Sequence, residues 1–194
     1  MLYACVRAVV YFVYIIVYRF RVSGRENVPP GGTLVCANHT SLSDPILIAL
    51  ALTVGNRPFF MAKAELFKIS LFGNLLRQLG AFPVERKISD LGAVKRTLNL
   101  LKQGHKVLMF PQGTRIPEAE ITDIKSGAAM LALRTGCPIL PVFITPGRKM
   151  FINRIEISFG SPFVPEKKPE QDKSEAYAEI SSRLAYEIQS LADI

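Results

Sequence analysis

The sequence has no tryptophan, only two histidines, and three cysteines among 194 residues. Cys5, Cys36 and Cys137 are odd in number and far apart, and each has apolar neighbours. No pair has metal-ligand spacing, so buried free thiols in a reducing compartment are expected, and no metal site. The Gly-x-Ser-x-Gly pattern of a serine esterase is missing. So are internal repeats, low-complexity tracts and long linkers; residues 167–173 are the nearest thing to a linker. Acidic residues are scarce as well, 16 against 24 Lys and Arg. The net charge of +8 is uneven: residues 1–160 carry 20 basic and 9 acidic side chains (+11), residues 161–194 carry 4 and 7 (−3). A basic body calls for an acidic partner, such as anionic lipid headgroups, a phosphorylated substrate, an acidic carrier protein or nucleic acid. No nucleic-acid-binding motif or aromatic-interleaved basic stripe supports the last of these.

What is present is apolar: 49% hydrophobic against 21% charged residues, which excludes a disordered tail and suits one domain with one sizeable core. The most apolar stretch is residues 1–20, with Arg7 as its only charge before Arg19. Twenty helical residues span about 30 Å, the thickness of a bilayer core. A secretory signal peptide fits poorly, because no small-x-small cleavage site follows. Tyr3, Arg7, Tyr11, Tyr14 and Tyr18 recur at three- and four-residue spacing on one helical face. Residues 1–21 are therefore expected to form a membrane-anchoring helix, lying in the interface with that stripe at headgroup level. A spanning helix and a helix packed on the domain are the alternatives. With Arg19, Arg21 and Arg25 at its end, either membrane arrangement puts the body on the cytoplasmic face of the cell membrane.

Residues 22–194 form the second region, reading as alternating strands and helices. Strands are expected at Thr33–Ala37, 58–61, Ala81–Val84, 106–110, Ile139–Ile144 and 155–159. Helices are expected at 45–52 with Asp44 as N-cap, 64–79, from the cap Ser89 to 103, 126–134, and 171–192. This alternation implies an α/β fold, a largely parallel central sheet of about six or seven strands flanked by helices. In such sheets ligands bind beyond the carboxyl ends of the strands. Asn38–Asp44, Lys63, Arg86 and the 111–115 segment all follow strands, so one site would draw on four strand ends.

Within Asn38-His39-Thr40-Ser41-Leu42-Ser43-Asp44, His39 is suited to proton transfer near neutral pH. Asp44, at the helix start, can meet one ring nitrogen and fix the tautomer, leaving the other to take a proton from a substrate hydroxyl. In Phe110-Pro111-Gln112-Gly113-Thr114-Arg115, Gly113 permits a tight turn with exposed N–H groups, Thr114 adds a hydroxyl and Arg115 a fork of donors. Those are the parts of a phosphate site. Arg86, just past a strand, offers a second guanidinium. For any one of these segments alone, a capping aspartate, a loop histidine or a surface arginine is the plainer interpretation.

Together, Asn-His-x4-Asp, Gly-x-Phe-x-x-x-Arg from Gly80 to Arg86, Phe-Pro-x-Gly-Thr-Arg, and Pro-Ile-Leu-Pro-Val from Pro138 to Val142 resemble the four ordered blocks of the glycerolipid acyltransferases. The closest resemblance is to the bacterial 1-acylglycerol-3-phosphate acyltransferases, and it covers about residues 22–163. Lys63-Ala64-Glu65-Leu66 is also typical of them. The resemblance implies that His39, oriented by Asp44, deprotonates the free hydroxyl of lysophosphatidate, and that the alkoxide attacks an acyl thioester with no acyl-enzyme. Arg86, Arg115, the Gly113–Thr114 turn and Lys63 would hold the phosphate. The acyl donor would be an acyl carrier protein or coenzyme A thioester, with no metal or redox cofactor, and membrane lipid would be a partner. Gln112 departs from the family, which usually has Glu there. An amide keeps hydrogen-bonding capacity but loses the charge and cannot act as a base. The competing functions are acylation of another lysolipid, hydrolysis with Ser41 beside His39, and a non-catalytic module that docks on anionic membrane.

Overall fold

The computed structural model describes residues 8–9, 11–12, 19–85, 90–116, 121, 124–145 and 154–193. Seven strands, β1 (Arg19–Ser23), β2 (Thr33–Ala37), β3 (Pro58–Lys63), β4 (Ala81–Val84), β5 (Lys106–Met109), β6 (Ile139–Ile144) and β7 (Arg154–Phe159), form one sheet in the order β1-β7-β6-β2-β5-β3-β4. Strands β2 to β6 are mutually parallel. β7 runs antiparallel to β6, and β1 pairs in parallel with β7. The helices are α1 (Asp44–Ala51), α2 (Ser70–Gln78), α3 (Leu91–Lys102), α4 (Gly127–Thr135) and α5 (Lys173–Ser190).

Both faces of this sheet are buried, which explains why the central strands read as continuous apolar runs. All five residues of β2 and all six of β6 are buried. Side chains alternate between faces along a strand. Leu34 and Cys36 of β2 accordingly join one core with Leu100, Leu101, Leu131, Leu184 and Ile188, contributed by α3, α4 and α5. Val35 and Ala37 join the other, with Leu47, Ile48 and Ala51 of α1. Each fully buried aliphatic side chain adds about 1.5–3 kcal/mol over leaving it in water.

Four local expectations are corrected. Asp44 is not the cap of α1; Ser43 is the N-cap and Asp44 the first helical residue, followed by Pro45. The helix expected over 64–79 is broken: a 3-10 segment, Ala64–Lys68, gives way at Ile69, which is extended (φ −80°, ψ 104°), before α2 begins. Residues 19–21, expected to end the N-terminal helix, belong instead to strand β1, which carries the sheet back to Arg19. At α3 the N-cap is Asp90, whose carboxylate accepts from the Ala93 N–H at 2.9 Å; the expected cap, Ser89, lies outside the described residues.

Most of the expected N-terminal helix also lies outside the described residues. Of it, Ala8, Val9, Tyr11 and Phe12 are helical, Val9 and Phe12 are exposed, and the Tyr11 ring meets Phe20 of β1 edge to face. Among the described residues no helix is long and apolar enough to cross a membrane.

Candidate active site

Strand β2 ends at Ala37, and the next residue anchors the loop that carries the histidine. Asn38 is buried; its Nδ2 donates to the Ile144 carbonyl at 2.8 Å and its Oδ1 accepts the Ile144 N–H at 2.7 Å. The amide thus stands in for one more rung of the sheet between β2 and β6, and His39 leaves from a fixed point.

His39 is held at its backbone, at Nδ1 and by stacking of its ring on Phe110. Its Nδ1 is 2.8 Å from Asp44 Oδ2. The same oxygen accepts the backbone N–H groups of Thr40 and Ser41, each at 2.7 Å. The carboxylate that would have capped α1 has turned back onto its own approach loop, which is how a helix-initiating aspartate comes to orient a histidine five residues earlier. Asp44 is 1% exposed, and its Oδ1 has no hydrogen-bond partner among the described residues. The His39 N–H donates to Gln112 Oε1 at 3.0 Å, and its carbonyl accepts from the Ile116 N–H at 2.9 Å. The imidazole stacks on Phe110, with ring centroids 4.1 Å apart and planes 18° from parallel. With Nδ1 committed to Asp44, Nε2 is the nitrogen left for a substrate proton, and His39 lines a cavity of about 210 Å³. Met61, Val84, Leu108, Met109 and Phe110 supply its apolar lining, from the ends of β3, β4 and β5, with Gly113 and Lys125 completing it. A larger surface hollow of about 390 Å³ along α3 contains none of these residues.

The other expected site residues are placed less uniformly. Gly113 lines the cavity in a positive-φ turn (φ 76°), its N–H donating to the Phe110 carbonyl at 3.0 Å. Thr114 and Arg115 come next and are exposed. Lys63 ends β3 at the same edge of the sheet, but its ammonium is exposed and pairs with Glu65 at 3.2 Å. Arg86 lies outside the described residues.

Two residues of the site were not assigned roles from sequence. Gln112 is buried and orients the histidine backbone. Lys125 lies against Gly113, its backbone N–H bonded to the Pro111 carbonyl at 3.0 Å. The Gln112 bond had a partial signal in the departure from Glu; Lys125 had none, standing ten residues beyond Arg115 in the sequence.

Alternative nucleophiles are disposed otherwise. The Ser41 hydroxyl pairs with the Ser43 hydroxyl at 2.9 Å, not with the imidazole, whose Nδ1 is paired with Asp44. Cys36 is fully buried, and desolvation pushes its thiol well above the ordinary range, so it is inert.

A family model described as Acyltransferase matches residues 19–145. The chain belongs to that acyltransferase family. Among curated acyltransferases it is 34% identical over 164 residues to the 1-acyl-sn-glycerol-3-phosphate acyltransferase of Streptococcus pneumoniae, covering 81% of this chain and 60% of that one. It is 29% identical over 179 residues to the enzyme of the same name from Bacillus subtilis, covering 88% and 87%. The chain thus spans about three fifths of the streptococcal relative and most of the Bacillus one. The crystal structure of the 1-acyl-sn-glycerophosphate (LPA) acyltransferase PlsC from Thermotoga maritima superposes with a TM-score of 0.70 at 27% identity, covering 93% of this chain and 74% of that one. As an acyltransferase fold, then, the seven-stranded, mostly parallel sheet has a solved counterpart.

Proposed function

We propose that this acyltransferase moves a fatty acyl group from an acyl thioester to the free hydroxyl of 1-acylglycerol-3-phosphate, giving phosphatidic acid. The observation that carries the reading is the His39–Asp44 pair at 2.8 Å, with His39 lining a cavity whose other lining residues are mostly apolar. Asp44 holds the Nδ1 proton and stabilises the imidazolium when it forms. Nε2 takes the proton of the acceptor hydroxyl as the oxygen attacks the thioester carbonyl. The tetrahedral intermediate then collapses, the C–S bond breaks, and the departing thiolate takes the proton back from Nε2. No side chain is acylated, in keeping with the inert Cys36 and the Ser41 hydroxyl turned to Ser43. The relatives' names supply the acceptor; an acyl carrier protein or coenzyme A thioester is the donor, and the reaction needs no metal or redox cofactor. The basic body and the apolar N-terminus support work at the cytoplasmic face of the membrane.

The test is phosphatidate formation by the purified chain in mixed micelles, with labelled lysophosphatidate and each thioester in turn. His39→Ala should abolish transfer while leaving the unfolding temperature within a few degrees of the parent. Transfer retained by His39→Ala would falsify the base assignment. Thioester loss without acceptor, at a rate matching transfer, would point to hydrolysis instead.

A further inference from the structure

Of the basic residues expected to meet the acceptor phosphate, Lys63 is paired with Glu65, and neither it nor Arg115 lines the cavity beside His39, whereas another cation, itself exposed, does. That cation is Lys125. Its side chain lies across the Gly113 turn so closely that a Cβ built on Gly113 would sit 3.0 Å from Nζ, 3.1 Å from Cε and 3.3 Å from Cδ. Its main chain is fixed to the same turn through the bond to the Pro111 carbonyl. A side chain at 113 would crowd the ammonium in this position, and the positive φ there strongly favours glycine. No described residue forms an ion pair with Lys125.

We infer that Lys125 is a binding residue for the phosphate of the acceptor, closing over the Gly113 turn so that phosphate and imidazole face one cavity. The inference rests on the function proposed above. In a 1-acylglycerol 3-phosphate the reacting hydroxyl is separated from phosphorus only by the C2–C3–O–P linkage, so the phosphate must bind close to the base. The chain from His39 to Lys125 is correspondingly short: the imidazole stacks on Phe110, the Phe110 carbonyl accepts the Gly113 N–H, and Gly113 lies under Lys125. A flexible ammonium with three donors suits a phosphate whose distance from the base changes as the hydroxyl attacks. The turn beneath adds backbone donors of the kind that cradle anions.

The deciding experiment compares the parent, Lys125→Ala and Lys125→Arg in steady state, with 1-hexanoylglycerol 3-phosphate and its phosphate-free counterpart 1-hexanoylglycerol as acceptors. Losing a charge-assisted hydrogen bond should raise the acceptor KM by about tenfold to a hundredfold. The thioester KM should stay unchanged, Lys125→Arg should recover most of the loss, and preference for the phosphorylated acceptor should collapse in Lys125→Ala. A rise in thioester KM instead would assign the cation to the donor's phosphates and overturn the proposal, as would no change in either KM. A second arm is independent of turnover. In the His39→Ala protein, adding Lys125→Ala should weaken binding of 1-hexanoylglycerol 3-phosphate and not of 1-hexanoylglycerol, and equal binding overturns the proposal. A parent protein that binds the phosphorylated ligand through Lys125 yet forms no phosphatidate would sink the proposed reaction and leave the phosphate site standing.

Discussion

Gln112 gives its Oε1 to the His39 N–H at 3.0 Å, and that bond needs an acceptor rather than a charge. The family's usual Glu and this chain's Gln can therefore do the same mechanical work, holding the histidine backbone against the loop after β5. Gln112→Glu should keep the bond and most of kcat. Gln112→Ala should orphan a buried N–H, costing about 1–3 kcal/mol of stability. It should also lower kcat more than it raises the acceptor KM, because the base rather than the phosphate site is displaced. Denaturant unfolding and steady-state kinetics on the two variants check this; an unchanged kcat in Gln112→Ala would remove Gln112 from the positioning of His39. Asp44 poses the complementary case. One of its oxygens serves three donors, so a residue that helix statistics assign to capping is used up in orienting His39 and its loop.

Between elements, the point of greatest leverage is Asn38, whose side chain pairs both ways with Ile144 where β2 and β6 leave the sheet. Asn38→Ala should leave the Ile144 N–H and carbonyl unpaired in a buried place, at about 1–3 kcal/mol for each group, and should lower activity by freeing the His39 loop. Chemical denaturation beside a transfer assay would read both, and a variant as stable as the parent would show that the contact carries no load. At this scale much of the molecule was legible. β2 to β6 stood out as apolar runs punctuated by glycine and proline; β2 and β6, buried along their whole length, need nothing polar, and β7 was legible by its alternation, with Ile155, Ile157 and Phe159 apolar between Glu156 and Ser158. β1 escaped because Arg19 and Arg21 alternate with Phe20 and Val22, an edge-strand pattern that comes directly after an apolar segment. The break at Ile69 left no trace, since 3-10 and α turns share composition. In the site, the His39–Asp44 pair could be read because its members are close in sequence. Lys125 could not, because only the fold brings it across the Gly113 turn.

For the whole molecule the uneven charge makes a prediction about binding to an anionic bilayer. The excess of +11 lies within residues 1–160, which contain the entire site, and the −3 within residues 161–194, which contain α5. Exposed apolar side chains accompany the basic ones beyond the strand ends: Leu42 three residues after His39, and Leu66 and Ile69 after Lys63. A surface mixing cations with protruding leucines is suited to an anionic bilayer, where each basic residue near the surface contributes about 1 kcal/mol. Approach by charge has a definite signature. At about 0.01 M salt the Debye length is about 30 Å and the basic body is attracted as a unit; at about 1 M it is about 3 Å and only apolar insertion remains. Cosedimentation with vesicles containing phosphatidylglycerol should therefore fall steeply as salt is raised, towards the level seen with purely zwitterionic vesicles. Whatever binding persists at high salt measures the apolar contribution, from the N-terminal segment and from Leu42, Leu66 and Ile69 together. Binding that is equal on both vesicle types and indifferent to salt would mean that insertion alone holds the protein at the bilayer. The basic excess would then serve the phosphates of the substrates rather than those of the membrane.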